Sequence, residues 1–406
     1  MNNNNFNNTN RACAVANLRV PFPLDGAYMV KLEDLLSVYY RARSNKRRSR
    51  DSVRFEIDFK DGLLNLWKKL NERTFTASSN YAFVVRYPKP REIFATVMET
   101  RIVHHYMDWR LRSIYESVLS DRSFNNRKGL GLHKAIETYR NDIRELSENY
   151  TVDVWCAHMD LKGYFPNADV ETALSQQLRL IEMYYNGEDK EDLKYMMTAC
   201  MRADPARNCN VYVSKSNWDV IPPDKSLFKK PVGTGAAIGF LCWQNAMGMY
   251  INDVIKWLQI HLFLRVMVFV DDIYIVTNDK SKFLALMPIL RSKLATLKVR
   301  MNESKFYLQH YSKGVMCLGR MLKFNRQYMD NKSYGRALDK VEILAHKKEV
   351  TSESMMCSLN SHLGGMKGID QFNRMVAFVD KALLYFSSIL LWNNKKMCFN
   401  NNVKNK

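Results

Sequence analysis

Val266-Met-Val-Phe-Val270-Asp271-Asp272-Ile273-Tyr-Ile-Val276 places two short runs of β-branched and aromatic residues on either side of a pair of aspartates. Such runs, divided only by two turn-forming acids, predict a β-hairpin with Asp271 and Asp272 at its tip. A second acid has the same context. Val152-Asp-Val-Trp-Cys-Ala-His-Met159 is apolar on both alternating faces, as in a central strand covered on both sides, and Asp160 follows it directly. If the two strands are neighbours, three carboxylates meet at one sheet edge. Like charges so placed repel, and their pKa values are pushed up. A divalent cation removes the conflict, and hard carboxylate oxygens suit Mg²⁺, which is commonly held by one or two carboxylates plus substrate phosphates. Two such ions about 3.5–4 Å apart clamp the attacking and leaving oxygens of an in-line phosphoryl transfer. Taken singly, Asp-Asp is an ordinary turn pair and Asp160 an ordinary strand end. Their joint occurrence in one strand–acid context favours chemistry.

Around this centre the pattern is mixed. Val53, Phe55, Ile57 and Phe59 alternate with polar residues and predict a half-buried strand. Leu63, Trp67 and Leu70 recur at helical spacing, as do Val103, Met107, Leu111, Ile114 and Val118. The pattern is helical again from Phe240 to Leu258 and beyond Asp330, where Gly364-Gly365 are expected to break the chain into separate helices. Asp169, following Pro166, is expected to cap a helix N-terminus. His104 and His105 read as histidines at the edge of a core. The Asn-rich start, MNNNNFNNTN, and the Asn/Lys-rich last dozen residues predict disordered ends. The expected class is α+β, with a β centre and a helical C-terminal third.

The 406 residues carry 61 Lys+Arg against 41 Asp+Glu, a formal net charge of +20. So large a cationic excess points to a polyanionic partner, nucleic acid first. The stretch Arg41–Arg50 alone holds six cations and no acid, with Arg47 and Arg48 as expected contacts to template or RNA phosphates. A hydrophobic share of 47% excludes wholesale disorder, and the length suggests two or three lobes. The eight cysteines are scattered, with no CxxC pair and no Cys/His cluster, which argues against a zinc site or disulfide framework and for a reducing cytosol. The longest apolar run, His261 to Val270, is broken by Arg265, and the N-terminus lacks the apolar core of a signal peptide. The expectation is a soluble cytoplasmic protein with no membrane partner.

From about Val53 to about Met375 the chain resembles the reverse transcriptases of bacteria. Asp160 with Leu161-Lys-Gly-Tyr-Phe165 is similar to that family's first palm motif, and Phe269-Val-Asp271-Asp272 to its [Y/F]xDD box. The resemblance implies a right-hand polymerase: an N-terminal extension (1–30, partly disordered), fingers (31–150), a palm with an antiparallel sheet (151–324, with an insertion at 166–230), a helical thumb (325–394) and a disordered tail (395–406). It implies that Asp160, Asp271 and Asp272 are catalytic and, with Leu161, hold two Mg²⁺ ions, for which Mn²⁺ substitutes. Phe165 falls where the family places an aromatic gate against the ribose 2′-hydroxyl. In Tyr87-Pro-Lys-Pro-Arg91, Lys89 and Arg91 would reach the incoming triphosphate, since cations neutralise charge on transferring phosphates. In Gly235-Ala-Ala-Ile-Gly239, Ile238 and Gly239 would stack under the nascent base pair. Lys305, in Asn302-Glu-Ser-Lys305, would meet the same nucleotide and protonate leaving pyrophosphate. Leu318 and Gly319, in Val315-Met-Cys-Leu-Gly319, resemble the primer grip. Arg127, Gly129 and Gly131, in Arg127-Lys-Gly-Leu-Gly-Leu-His133, would approach the template.

Ile238 stands before Gly239 where most relatives carry Gln, and Gln244 follows five residues after that glycine. This is similar to the diversity-generating retroelement class, in which the change accompanies error-prone copying of template adenines. Trp243, Ala236-Ala237 and Thr100 depart from that class and suit the related antiphage-defence reverse transcriptases, which work with a dedicated non-coding RNA. Neither the NAxxH nor the VTG element of retrons occurs, and the 134 residues after Asp272 leave little room for maturase and endonuclease domains. The implied partners are an RNA template or non-coding RNA, a DNA primer or product, dNTPs, and an accessory protein or a second copy. Two rivals stay open: a template-independent or protein-primed transferase with the same acids, and a non-catalytic RNA-binding scaffold.

Overall fold

The computed structural model describes residues 29–44, 46–86, 89–207, 209–211, 218–262, 265–347 and 349–401. In chain order the helices are α1 Leu32–Arg43, α2 Arg50–Ile57, α3 Phe59–Asn71, α4 Met98–Val118, α5 Leu132–Leu146, α6 Val170–Tyr184, α7 Lys190–Met201, α8 Leu241–Tyr250, α9 Asn252–Leu262, α10 Lys280–Thr296, α11 Asn331–Ala345, α12 Ser352–Met366 and α13 Phe372–Phe386. The strands are β1 Ser79–Val85, β2 Arg91–Thr96, β3 Trp155–Asp160, β4 Asn210–Val211, β5 Arg265–Phe269, β6 Asp272–Thr277, β7 Tyr307–His310, β8 Val315–Cys317, β9 Arg320–Lys323, β10 Arg326–Met329, β11 Leu390–Asn393 and β12 Cys398–Asn401. Helices and largely antiparallel sheets are mixed, as the α+β expectation requires. No helix among the described residues is long and apolar enough to cross a membrane.

The chain forms two interleaved compact units. The first takes the described stretches of Met1–Gly129, Asp160–Phe263 and Met287–Glu303. Its centre is α4, where Ile102, Val103, Tyr106, Met107, Leu111 and Tyr115 recur at three- and four-residue spacing and are buried. That face packs on α1 and α8, and each fully buried side chain of this size contributes about 1.5–3 kcal/mol. β1 and β2 form an antiparallel pair, with β4 parallel to β1 at the other edge. On β2 burial alternates residue by residue, as the two-residue period of a strand requires. Glu92, on this strand, is buried, and its carboxylate accepts from Trp218 Nε1 and the Leu227 N–H, both at 2.8 Å, and from the Ser226 hydroxyl. It thereby ties the 218–227 segment to the strand.

The second unit takes Leu130–Met159 and the described stretches of Leu264–Leu286 and Ser304–Lys406. Its four-stranded sheet has the order β5-β6-β3-β7, with β5/β6 and β3/β7 antiparallel. α5 packs against β5 and β6. β8, β9 and β10 form an antiparallel meander. Beyond it α11, α12 and α13 and the β11–β12 hairpin share a core of Val341, Leu359, Leu363, Phe378, Leu390 and Phe399.

Four expectations are corrected. Val53–Phe59 is helical, not a strand: Ser49 Oγ accepts from the Ser52 N–H at the start of α2, and Phe59 opens α3. Phe55 and Phe59, four apart, close on the Tyr39 ring at 5.8 and 4.6 Å, while Val53 and Ile57 of the alternating set are exposed. A single aromatic anchor on a neighbouring helix overrode the two-residue pattern. Gly364-Gly365 do not break a helix; both lie in the last turn of α12, and the chain turns at Gly368, whose φ is 68°. A Cβ on Gly365 would come within 2.9 Å of Met329 Cε, the movable end of a flexible side chain. The tail is not uniformly disordered, because Cys398–Asn401 pairs with Leu390–Asn393 and Phe399 is buried. Phe399 in register with Trp392, their rings 5.3 Å apart, outweighs the polar composition around them. The central strand begins at Trp155 rather than Val152, which is exposed. The expected disordered start, 1–10, lies outside the described residues, as do Tyr87 and Pro88 of the fingers motif and 402–406 of the tail.

Candidate active site

The β5–β6 register pairs Phe269 with Asp272, so the hairpin loop is Val270-Asp271. Val270 has φ 62°, and Asp271 is not among the residues with positive φ. A hairpin loop with positive φ only at its first position takes Gly there in the ordinary case. A β-branched residue in that conformation is a true outlier and stores strain on the order of 1–3 kcal/mol. Asp271 is thus delivered by a taut turn, with both flanking strands hydrogen-bonded.

β6 is the neighbour of β3 in the four-stranded sheet. His158, two residues before the end of β3, marks the alignment. Its Nε2 lies 2.8 Å from Asp272 Oδ1, and its ring sits 4.6 Å from that of Tyr274. A carboxylate only accepts, so Nε2 is the protonated nitrogen in this contact. Tyr274 in turn accepts from the Leu318 N–H at 3.0 Å, which links the aspartate hairpin to the Leu318–Gly319 turn, and burial pushes its phenol well above the usual range. Leu318 itself has φ 46° and Gly319 φ 81°.

Asp160 is 8% exposed. Asn302 holds it twice: the amide Nδ2 donates to Asp160 Oδ2 at 2.9 Å, and the Asn302 N–H donates to the Asp160 carbonyl at 2.8 Å. Leu161, buried, forms an isolated antiparallel bridge with Met301, so both ends of this segment are fixed. Asp169 caps α6 as expected, its carboxylate accepting from the Thr172 N–H and pairing with Lys298 at 2.6 Å. Those contacts hold its carboxyl below the usual range against the opposing effect of burial.

The remaining sequence-predicted residues divide into groups. Phe165, Ile238 and Gly239 come together around β2: the Ala236 N–H donates to the Phe165 carbonyl at 2.8 Å, and the Phe94 N–H to the Ile238 carbonyl at 2.8 Å. Gly239 has φ 116°, and a Cβ there would lie 2.2 Å from the Phe94 carbonyl oxygen. Backbone packing alone therefore demands glycine. Arg91 is exposed at the start of the same strand and Lys89 is exposed two residues before it. Arg47 and Arg48 are exposed on the turn between α1 and α2. Lys305 is exposed on a 3₁₀ turn, Glu303–Lys305. Arg127 turns inward, bonding Glu116 at 2.7 Å and the carbonyls of Ser120 and Ser123. Gly129 and Gly131 have φ 78° and 134° with open space where a Cβ would stand. His104 is buried against Phe240 and Cys242, and burial pushes its pKa down to about 3.

Asn302, His158 and Tyr274 are site residues to which the sequence reading gave no role. His158 carried a faint signal, as a polar residue in an otherwise apolar strand and on the same face as Asp160. Asn302 carried none, because its partner is 142 residues away.

Among the described residues no group of three or more His, Cys, Asp or Glu side chains is gathered to hold a metal ion. The donors offered are carboxylate oxygens, two of them already hydrogen-bonded, by Asn302 and His158. Such hard oxygen donors suit Mg²⁺, which draws most of its other ligands from water and substrate phosphates rather than from an all-protein cage.

No protein-family model matches the chain, and no curated protein matches it. Among solved structures it is similar to the apo telomerase of Candida tropicalis, at 10% identity and a TM-score of 0.45 over 76% of this chain and 59% of that one. It is likewise similar to the telomerase of Candida albicans in complex with a TWJ fragment of telomeric RNA, at 11% identity and a TM-score of 0.45 over 79% of this chain and 56% of that one. The chain thus spans less than two thirds of either.

Proposed function

We propose that the chain is an RNA-directed DNA polymerase, adding dNTPs to a primer 3′-hydroxyl. The observation that carries this reading is the strained Val270 turn presenting Asp271 and Asp272 at the start of a strand whose neighbour in the sheet is β3. In this reading 31–150 serves as fingers, 151–324 as palm and 325–394 as thumb. Asp160, Asp271 and Asp272, with Leu161, would hold two Mg²⁺ ions, which would supply positive charge to the 3′-hydroxyl and the leaving pyrophosphate.

The chain's own residues then do six things. Asn302 orients the Asp160 carboxylate and His158 that of Asp272, so neither has to reorganise as charge develops. Phe165, held by its carbonyl to Ala236, stands against a ribose 2′-hydroxyl and selects deoxynucleotides. Arg91, exposed at the strand start, and Lys89, exposed two residues before it, meet the triphosphate, and Lys305 gives a proton to pyrophosphate. Leu318 and Gly319 hold the primer end, and Arg47 and Arg48 contact RNA phosphates. The net charge of +20 makes heteroduplex binding fall steeply with salt.

Ile238, with Gln244, supports a role in a bacterial diversity-generating retroelement with low fidelity at template adenines. Trp243 and Thr100 support the second reading, a cytoplasmic antiphage-defence enzyme working on its own non-coding RNA, with templated, untemplated or protein-primed synthesis.

The test is dNTP incorporation by the purified protein with Mg²⁺ or Mn²⁺, with and without RNA transcribed from its own locus, followed by sequencing of the product. DNA complementary to the RNA, absent from an Asp271→Ala/Asp272→Ala variant, is the expected result. Homopolymer product would replace the reading with a template-independent transferase. No product with any RNA, alongside tight RNA binding, would replace it with a scaffold.

A further inference from the structure

Away from the aspartates, β10 and the start of α13 border an open groove of about 800 Å³. Its walls include Arg326, Tyr328, Asp370, Gln371, Phe372 and Arg374. Four independent features of this wall point to one kind of ligand.

The first is the helix end. α13 begins at Phe372, and Gln371 at its N-cap makes no capping hydrogen bond. Its first-turn N–H groups and the positive end of its dipole therefore border the groove, an arrangement that binds phosphate. The second is Gln371 itself, which is 7% exposed. Its Oε1 accepts from the Met329 N–H at 3.0 Å, which fixes the amide orientation and leaves Nε2 as a buried donor with no partner. Such a group costs about 1–3 kcal/mol unless something binds it. The third is charge: two arginines and one aspartate line it, and Arg326 and Arg374 lie 5.5 and 5.7 Å from the Tyr328 ring. Arg374 is anchored by bonds to the Met329 carbonyl and Asn331 Oδ1, whereas Arg326 is exposed. The fourth is Phe372, a large apolar side chain left 69% exposed at the rim.

We propose that this groove takes one unpaired nucleotide of a single-stranded RNA. Its phosphate lies on the N-terminus of α13 beside Arg326, its base stacks on Phe372, and its polar edge accepts from Gln371 Nε2. Asp370, one of whose oxygens accepts from the Gln327 N–H at 2.9 Å, repels phosphate but receives a hydroxyl donor. The ribose 2′-hydroxyl is the group that separates RNA from DNA in this way. The site stands on the groove alone and does not depend on the polymerase reading.

The experiment measures binding of the full-length protein to a short fluorescent oligouridylate RNA, to the DNA of the same sequence and to free AMP as competitor. Phe372→Ala, at an exposed position, is expected to weaken RNA binding about tenfold, from the stacking of one base. Arg326→Gln is expected to weaken it several-fold and to lower the salt slope by about 0.7, the value for one single-strand phosphate. Ultraviolet cross-linking of the unmodified protein should place RNA on Tyr328 or Phe372. RNA affinities within twofold of the parent in both variants, with cross-links only elsewhere, would overturn the site. DNA bound as tightly and lost equally in both variants would overturn its assignment to RNA. AMP bound in the micromolar range, with oligonucleotide binding unaffected by either variant, would make it a free-nucleotide site instead.

Discussion

Asn302 grips Asp160 from both its backbone and its side chain, with N–H to carbonyl at 2.8 Å and Nδ2 to carboxylate Oδ2 at 2.9 Å. The double contact fixes both the end of β3 and the rotation of the carboxylate. Asn302→Ala keeps the segment in place through the backbone bond but frees the carboxylate. It should lower nucleotide incorporation by about 10- to 100-fold, the scale for a misplaced catalytic group, with a stability loss of about 1–3 kcal/mol. Asn302→Asp should be worse still, because it sets two carboxylates in contact. Single-turnover primer extension alongside urea unfolding of the same proteins separates the two effects, and unchanged turnover in Asn302→Ala would remove Asn302 from the site.

Val270 offers a test of strain. In Val270→Gly the positive φ is relieved, worth about 1–3 kcal/mol, against about 0.5–1 kcal/mol for the entropy of a new glycine. The variant should be more stable by about 1 kcal/mol and less active, because the turn that aims Asp271 has slackened. A chemical denaturation midpoint that rises while the incorporation rate falls is the expected pair of readings; a lower midpoint would mean that the valine side chain matters more than the turn.

Gly239 separates packing from substrate contact. The carbonyl of Phe94 leaves no room for a Cβ, and φ 116° disfavours one anyway. Gly239→Ala should therefore lose about 2–4 kcal/mol of stability whether or not a nucleotide is present. If the variant melts like the parent and only its KM for dNTP rises, the glycine is there for the substrate.

His104 sets a pH dependence. Burial lowers its folded pKa to about 3, against 6.5 in an unfolded chain. The unfolded state therefore binds the extra proton between those values, so stability is complete above about pH 6.5 and falls as pH drops, by up to about 1.4 kcal/mol per pH unit. His105, also lowered chiefly by burial, adds a contribution of the same sign. Between pH 6.5 and 5 the parent should lose about 2 kcal/mol more than a His104→Leu variant in urea titrations at each pH. Parallel losses in the two proteins would show that His104 is already protonated, or accessible, in the folded state.

The local sequence determined most of what is periodic or short-range. The Asp271–Asp272 hairpin, the strand before Asp160, the buried stripe of α4 and the Asp169 cap are all written in residues fewer than about twenty apart, where strand and helix periods and capping chemistry act directly. Where the alternation of Val53, Phe55, Ile57 and Phe59 misled, the deciding contact was the Tyr39 ring on another helix, and where the tail composition misled, it was the pairing of Phe399 with Trp392 on the facing strand; both partners are near in sequence, but the contact lies between elements and not in the period of either. The acids themselves were legible in the same way, but what orients them was not. Asn302 is 142 residues from Asp160 and His158 is 114 from Asp272. Gly239 answers to a carbonyl on β2, and the groove beside α13 exists only because β10 folds against that helix end. Hydrogen bonds and steric limits of this kind depend on which surfaces the folded chain brings within about 3 Å, and no period or spacing along the sequence encodes that distance.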